Sequence, residues 1–273
     1  MTLLSVEGLS ISFPDGQGGR TRVVDHVSFT LGARDRLGVI GESGSGKTMI
    51  GRAILGLLPP GGRIDEGRIL WEGRDVAKMT RAELRAIRGA RIGMVFQEPM
   101  VSLNPSLTIG RQMTEGVMLH RRLDRRAAEA EAAAMLERVR MEEPHAVLHR
   151  HPHEFSGGMR QRIMLASVLM LRPALLIADE PTTALDAVIQ KDIMALMDDL
   201  VNETGTALML VSHDLPLVAQ HTRVAIIMQT GRVVETGAMA RILSAPERPY
   251  TARLVAALPR PGTGAPLDRA PVL

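Results

Sequence analysis

The sequence predicts an α/β fold built on a mostly parallel sheet, and three observations carry that expectation. Continuous apolar runs at residues 37–40, 174–178, 207–211 and 224–228 have the character of strands covered on both faces. Stretches of helical periodicity separate several of these runs, as a parallel sheet with crossover helices requires. A glycine-rich turn at residues 41–46 joins the first buried run to a helical pattern. The remaining elements follow in order. Residues 3–13 and 23–31 read as strands divided by the turn-forming Pro14-Asp15-Gly16-Gln17-Gly18-Gly19. After the glycine-rich turn, Ile50, Ala53, Ile54, Leu57 and Leu58 recur at helical spacing, and Pro59-Pro60-Gly61-Gly62 ends that helix. Residues 63–71 and 91–96 read as strands. From about residue 99 to 156 the chain turns polar, alanine-rich and helical, most clearly at 125–139, and reads as a helical insertion. Residues 159–171 and 189–201 are further helices. The stretch 259–273 holds four prolines and two glycines without periodicity and reads as a mobile tail. No internal repeat is present, so one copy of the fold is expected.

Composition removes several function classes. The 273 residues include no cysteine, which excludes disulfides, zinc–thiolate sites and cysteine-ligated iron–sulfur clusters. A net charge of +3, from 33 basic and 30 acidic residues, is too even to signal nucleic-acid binding. One Trp, one Tyr and four Phe leave little for a base-stacking platform. The start lacks a basic n-region and carries Glu7 inside its apolar stretch, so it does not read as a secretory signal. No uninterrupted apolar run reaches the roughly 18 residues of a spanning helix. The nearest, 163–178, is broken by Arg172 and Pro173, so no membrane span is expected.

Gly41-Glu42-Ser43-Gly44-Ser45-Gly46-Lys47-Thr48 fits G-x-x-x-x-G-K-[ST], the P-loop pattern. Glycines let the backbone curl until successive N–H groups point inward at phosphate oxygens, and the following helix aims its positive end at the same place. Lys47 would neutralise the β- and γ-phosphates, and the Thr48 hydroxyl would ligate Mg²⁺. Only Lys47, Lys78 and Lys191 are lysines, which makes the match informative. A second signal is Ala174-Leu175-Leu176-Ile177-Ala178-Asp179-Glu180-Pro181, where two carboxylates follow a buried strand. The carboxyl ends of strands are where open α/β sheets bind ligands. Asp179 would hold Mg²⁺ and Glu180 would polarise an attacking water; alone, the motif could simply open a turn.

A family resemblance rests on Phe155-Ser156-Gly157-Gly158-Met159-Arg160-Gln161-Arg162, which resembles the signature motif of ABC-transporter ATPases. The likeness covers residues 3 to about 259. The order agrees with that family: P-loop, then Gln97, the signature, Asp179-Glu180, Ala184-Leu185-Asp186, and His213 after a buried strand. Phe96-Gln97-Glu98-Pro99-Met100-Val101-Ser102-Leu103-Asn104-Pro105, the approach Pro152-His153-Glu154 and Arg248-Pro249-Tyr250-Thr251-Ala252-Arg253-Leu254 resemble the oligopeptide, dipeptide and nickel importer ATPases. His151 stands where that group usually has tyrosine. A cysteine-rich iron–sulfur segment found in longer relatives has no counterpart in this cysteine-free sequence.

The resemblance implies a P-loop NTPase fold of the RecA-like kind: a mostly parallel sheet, an antiparallel β subdomain and an inserted α-helical subdomain. It implies one ABC ATPase domain over 1–258, with antiparallel β elements at about 1–32 and 63–75, the helical insertion at about 98–168 and the tail 259–273 beyond it. It implies ATP and Mg²⁺ as ligands. Residues Gly41, Glu42, Ser43, Gly44, Ser45, Gly46, Lys47 and Thr48 would hold the nucleotide, with Phe13 stacking on adenine, a role set against the alternative of a core residue. Thr48, Gln97 and Asp179 would surround the metal. Glu180, His213 and Gln97 would be catalytic, with the Gln97 loop reporting nucleotide state to the helical insertion. Ser156, Gly157, Gly158 and Asp186 would serve a nucleotide held by a second ATPase subunit, identical or related, arranged head to tail.

By the same resemblance the chain would be the ATP-hydrolysing subunit of an importer at the cytoplasmic face of the inner membrane. Its partners would be two membrane-spanning permeases and, indirectly, an extracytoplasmic solute-binding protein, with no nucleic acid. A rival class, a non-transport ABC ATPase in DNA repair or assembly, usually inserts coiled coils or zinc segments, and neither is seen here. GTPases are excluded because no lysine follows an asparagine. His145, His149, His151 and His153 could form a metal-binding run, but Pro144 and Pro152 argue for a loop. Arg121, Arg122, Arg125 and Arg126 precede Glu129 and Glu131, which favours a solvated helix face over a phosphate patch.

Overall fold

A computed structural model describes residues 2–96, 103–182 and 185–258. Two sheets organise it. In the first, β1 (Thr2–Pro14) pairs antiparallel with β2 (Arg20–Gly32) on one side and with β4 (Arg63–Trp71) on the other, and the two-residue β5 (Arg74–Asp75) extends β4. The second has six strands in the order β10-β9-β3-β8-β7-β6, formed by β3 (Arg36–Gly41), β6 (Ile92–Val95), β7 (Leu175–Asp179), β8 (Ala207–Ser212), β9 (Val224–Gln229) and β10 (Arg232–Ala238). Every pairing among β3, β6, β7, β8 and β9 is parallel; only β10 runs antiparallel, on the edge beside β9.

The continuous apolar runs are explained by burial on both faces. Along each central strand alternate side chains enter different cores, as the two-residue strand period demands. Ile40, Leu176, Ala178, Leu208, Leu210 and Ile227 join the core shared with the helical insertion. Val39, Leu175, Ile177, Met209, Val211 and Ile226 join the core shared with the antiparallel sheet.

The insertion contains α3 (Ile109–Arg121), α4 (Arg125–Arg138) and α5 (Pro144–His149), followed by α6 (Gly157–Leu169). Thr108 caps α3 and Asp124 caps α4, each side chain accepting a backbone N–H of the first turn. Ala128, Ala132 and Leu136 form a fully buried i, i+4, i+8 stripe on α4. Arg121 pairs with Glu131 at 2.6 Å and Arg125 with Glu129 at 2.8 Å, so two arginines of the basic run serve ion pairs on the helix surface.

Several elements differ from the sequence pattern. The helix after the P-loop, α1 (Lys47–Ile54), stops short of Leu57 and Leu58. Gly56 takes φ +62 there and ends the helix, and Leu57 is exposed. A further helix, α2 (Arg81–Ile87), carries a capping box in which Thr80 and Glu83 satisfy each other's backbone N–H. Beyond β8, α8 (Leu215–His221), α9 (Met239–Ser244) and α10 (Pro249–Ala256) add short helices, and α7 (Ala187–Thr204) precedes β8. The tail 259–273 lies outside the described residues.

Leu136, on α4, is completely buried within the insertion. Leu136→Ala should therefore cost about 3 kcal/mol and lower the melting temperature by roughly 6–12 °C in a thermal scan; a shift under about 2 °C would mean the insertion is loosely packed.

Candidate active site

The sheet order places the chemistry. β8 lies between β3 and β7, so the turn after β3, the carboxylates ending β7 and the His213 loop after β8 emerge side by side at one edge. Register makes this concrete: Ile40 is level with Ser212, and Asp179 with Val211.

The turn from Gly41 to Lys47 is made tight by its neighbours. A Cβ on Gly41 would lie 2.3 Å from the Met228 carbonyl oxygen, and one on Gly46 would lie 2.4 Å from that of Val23. Gly44 and Gly46 take φ of +80 and +93, which side-chain-bearing residues resist. Glu42, Ser43 and Gly44 are exposed at the crest, while Ser45 is buried. Lys47 is 4% exposed and donates to the carbonyls of Gly41 and Glu42, both at 2.7 Å, and to Ser45 Oγ at 3.3 Å. Burial pushes its pKa down, against the nearby carboxylates of Glu180, Asp179 and Glu42.

Across β8, the Thr48 hydroxyl donates to Asp179 Oδ1 at 3.1 Å. Two of the three residues expected to meet a metal are thus brought together. Asp179 is 2% exposed, and burial pushes its pKa up; the Thr48 hydrogen bond opposes this, and the Glu180 charge adds to it. Glu180 sits at φ +47, an unusual conformation for a residue with a side chain. Its N–H donates to the Val211 carbonyl at 2.8 Å, and its Oε1 lies 3.0 Å from His213 Nδ1. The acid and the histidine expected to be catalytic are therefore direct neighbours, although 33 residues separate them.

Other expected residues lie elsewhere. Ser156 caps α6, its Oγ accepting from Met159 N at 3.3 Å, which leaves its O–H available to donate. A Cβ on Gly158 would lie 2.8 Å from Ile189, and one on Gly157 would lie 3.7 Å from Leu185. The signature segment thus packs on the start of α7, and among the described residues no hydrogen bond joins it to residues 41–48. Asp186 caps α7, accepting from Val188 N at 3.1 Å and Ile189 N at 3.0 Å. Phe13 is half-buried, its ring lying over Gly62 rather than on the loop. It pairs with Thr21, two residues before the Val23 that touches Gly46. Gln97 and Ala184 lie outside the described residues. His151 and His153 stack at 5.7 Å, and among the described residues no group of three His, Asp or Glu side chains could hold a metal.

Gln161 was not singled out from the sequence. It is 2% exposed, and its Nε2 donates to the carbonyl of Pro181, next to Glu180. A carbonyl can only accept, so this contact fixes which end of the amide faces Pro181. The signals available were its place in the signature run and a polar residue on the buried side of α6.

The sheet order, the curled loop and the paired carboxylates define a P-loop nucleotide-binding cassette. The ABC transporter family profile matches residues 24–183. The chain is 45% identical to the oligopeptide transport ATP-binding protein OppD of Haemophilus influenzae over 258 residues, covering 94% of this chain and 79% of that protein. It is 42% identical to the dipeptide transport ATP-binding protein DppD of Bacillus subtilis over 259 residues, covering 94% of this chain and 77% of the relative. A dimeric ATP-binding cassette solved in a post-hydrolysis state with ADP and Pi superposes with a TM-score of 0.77 at 24% identity, covering 86% of this chain and 98% of that one, a likeness of fold. The chain belongs to the ABC transporter family.

The raised pKa of Asp179 has a consequence for stability. The native state holds that proton more tightly than the unfolded chain between the ordinary value of 3.8 and the raised one, so stability falls as pH rises through this window. Asp179→Asn should raise the melting temperature of metal-free protein at pH 8. The gain should shrink as pH falls toward the ordinary carboxylate range, where the wild-type side chain protonates; an equal gain at every pH would rule out the charge as its cause.

Proposed function

We propose that this chain is the ATP-hydrolysing subunit of a membrane importer for peptides or a related small solute of the oligopeptide, dipeptide and nickel class. The observation that carries the reading is the meeting, at one sheet edge, of the Gly41–Lys47 turn, the Thr48–Asp179 pair and the Glu180–His213 pair. The transported class is supported by the names of the relatives, which are oligopeptide and dipeptide transport ATP-binding proteins.

In the proposed reaction the backbone N–H groups of residues 43–48 and the Lys47 ammonium would hold the triphosphate. Asp179 suits a cation: it is buried and carries a charge that the Thr48 hydroxyl only partly compensates. Thr48, Asp179 and Gln97 would hold Mg²⁺, which when bound neutralises charge on the phosphate oxygens. Glu180 orients a water and takes its proton as the water oxygen attacks the γ-phosphorus. The bond to the bridging oxygen breaks, and ADP leaves with its charge held by Lys47. His213 keeps the Glu180 carboxylate aimed and reaches toward the γ-phosphate. Phe13 is proposed to cover the adenine.

Ser156, Gly157, Gly158 and Asp186 are proposed to act on the nucleotide of a second ATPase subunit, placed head to tail. Exposure of the Ser156 end of α6 at a helix N-terminus supports this. ATP would then hold two subunits closed, and hydrolysis would release them. Two membrane-spanning permeases would dock near Gln97 and the helical insertion at the cytoplasmic face of the inner membrane, with a solute-binding protein delivering cargo. Among the described residues no helix is long and apolar enough to cross a membrane, so such a role needs spanning partners.

Glu180→Gln should retain ATP, slow hydrolysis by at least about 100-fold and accumulate a closed dimer in size-exclusion chromatography with Mg-ATP. An unchanged turnover would contradict the role given to Glu180. Lys47→Ala should instead lose nucleotide affinity, read by equilibrium binding; wild-type affinity in that variant would contradict the phosphate-holding role.

A further inference from the structure

The phosphate loop is also touched from the far end of the chain. Tyr250, the single tyrosine of the sequence, stands in the first turn of α10 and is 5% exposed. Its hydroxyl oxygen accepts a hydrogen bond from the backbone N–H of Glu42 at 3.3 Å, across 208 residues of sequence. The other end of the same residue is also held, because the Glu42 carbonyl accepts from Lys47 Nζ at 2.7 Å. Tyr250, the Glu42 main chain and Lys47 therefore form one continuous hydrogen-bonded chain from α10 to the loop's only cation.

The helix that delivers Tyr250 is itself seated by polar contacts. Glu235 on β10 is 5% exposed, and its carboxylate accepts from the backbone N–H groups of Glu247 at 3.0 Å and Arg248 at 3.2 Å, at the entry to α10. A buried carboxylate holding two amides fixes that entry in direction as well as position. Seated in this way, the Arg248–Leu254 run places one hydroxyl beneath the loop where the chain leaves β3.

We propose that Tyr250 is a positioning residue of the nucleotide site, holding the N–H of the Gly41–Glu42 peptide so that the Gly41 carbonyl of that same peptide keeps Lys47 aligned for a triphosphate. The inference rests on the reading of residues 41–48 as the phosphate loop. Without the hydroxyl, the Gly41–Glu42 peptide keeps its Lys47 contact but loses the hold on its N–H, and part of the loop's order must be gained when the nucleotide binds. The effect falls on affinity. The Glu180–His213 pair is built from the ends of β7 and β8 rather than from α10, so turnover at saturation should fall less than affinity.

The test compares the full-length wild type with Tyr250→Phe, which keeps the ring and removes only the hydroxyl. Mg-ATP affinity should weaken about fivefold, the equivalent of one neutral hydrogen bond at about 1 kcal/mol, with kcat within twofold of wild type. Backbone amide exchange at Glu42 should speed up in the nucleotide-free variant while its melting temperature holds. Wild-type affinity in the variant, beside a wild type that binds Mg-ATP, overturns this inference alone. So does unchanged Glu42 exchange, or a loss of affinity that merely tracks a lowered melting temperature. A wild type that retains no Mg-ATP overturns the proposed function together with it.

Discussion

Everything at this site depends on how closely three backbones approach one another. The turn leaving β3 is pressed between the carbonyl of Met228 on one side and that of Val23 on the other. No side chain fits at Gly41 or Gly46, and only a glycine accepts φ +93 without strain. The constraint links the two sheets, because Val23 belongs to the antiparallel one and Met228 to the parallel one. Substitution there would do more than reshape a loop, since it would also separate β2 from the edge where the chemistry gathers.

The same edge concentrates charge at some cost to the fold. Lys47 and Asp179 are both almost wholly buried, and burial pushes each pKa toward the neutral form. Glu180 adds an unusual backbone conformation beside them. A stable fold by itself would not select such an arrangement, whereas a site receiving a highly charged ligand and a cation would. Packing elsewhere offsets it: the sheet is buried on both faces, and each face has its own core.

The parallel strands were legible because burial on both faces forces uninterrupted apolar runs, as at residues 174–178 and 207–211. The phosphate loop was legible because its glycines answer a backbone requirement. β10 escaped notice because an edge strand is only partly buried, and Arg232–Ala238 mixes charged and apolar residues. The early end of α1 depends on the left-handed Gly56, which an apolar spacing reaching Leu57 and Leu58 masks. Within the site, Glu180 and His213 were expected as separate functional residues, but their 3.0 Å contact follows from β7 and β8 being neighbours. Gln161 and Tyr250 act through carbonyl and amide groups of distant segments, and no local pattern encodes such partners. Asp186 shows the reverse case: an expected ligand residue whose carboxylate caps a helix here.

These arrangements share one requirement, that the Gly41–Lys47 turn receives the phosphates of a nucleotide. The most direct measurement is a titration of the purified chain with Mg-ATP, followed through the backbone amide resonances. The account predicts saturable shifts that are largest at Gly44, Ser45, Gly46, Lys47 and Thr48. Shifts spread over the surface, or none at millimolar nucleotide, would contradict it.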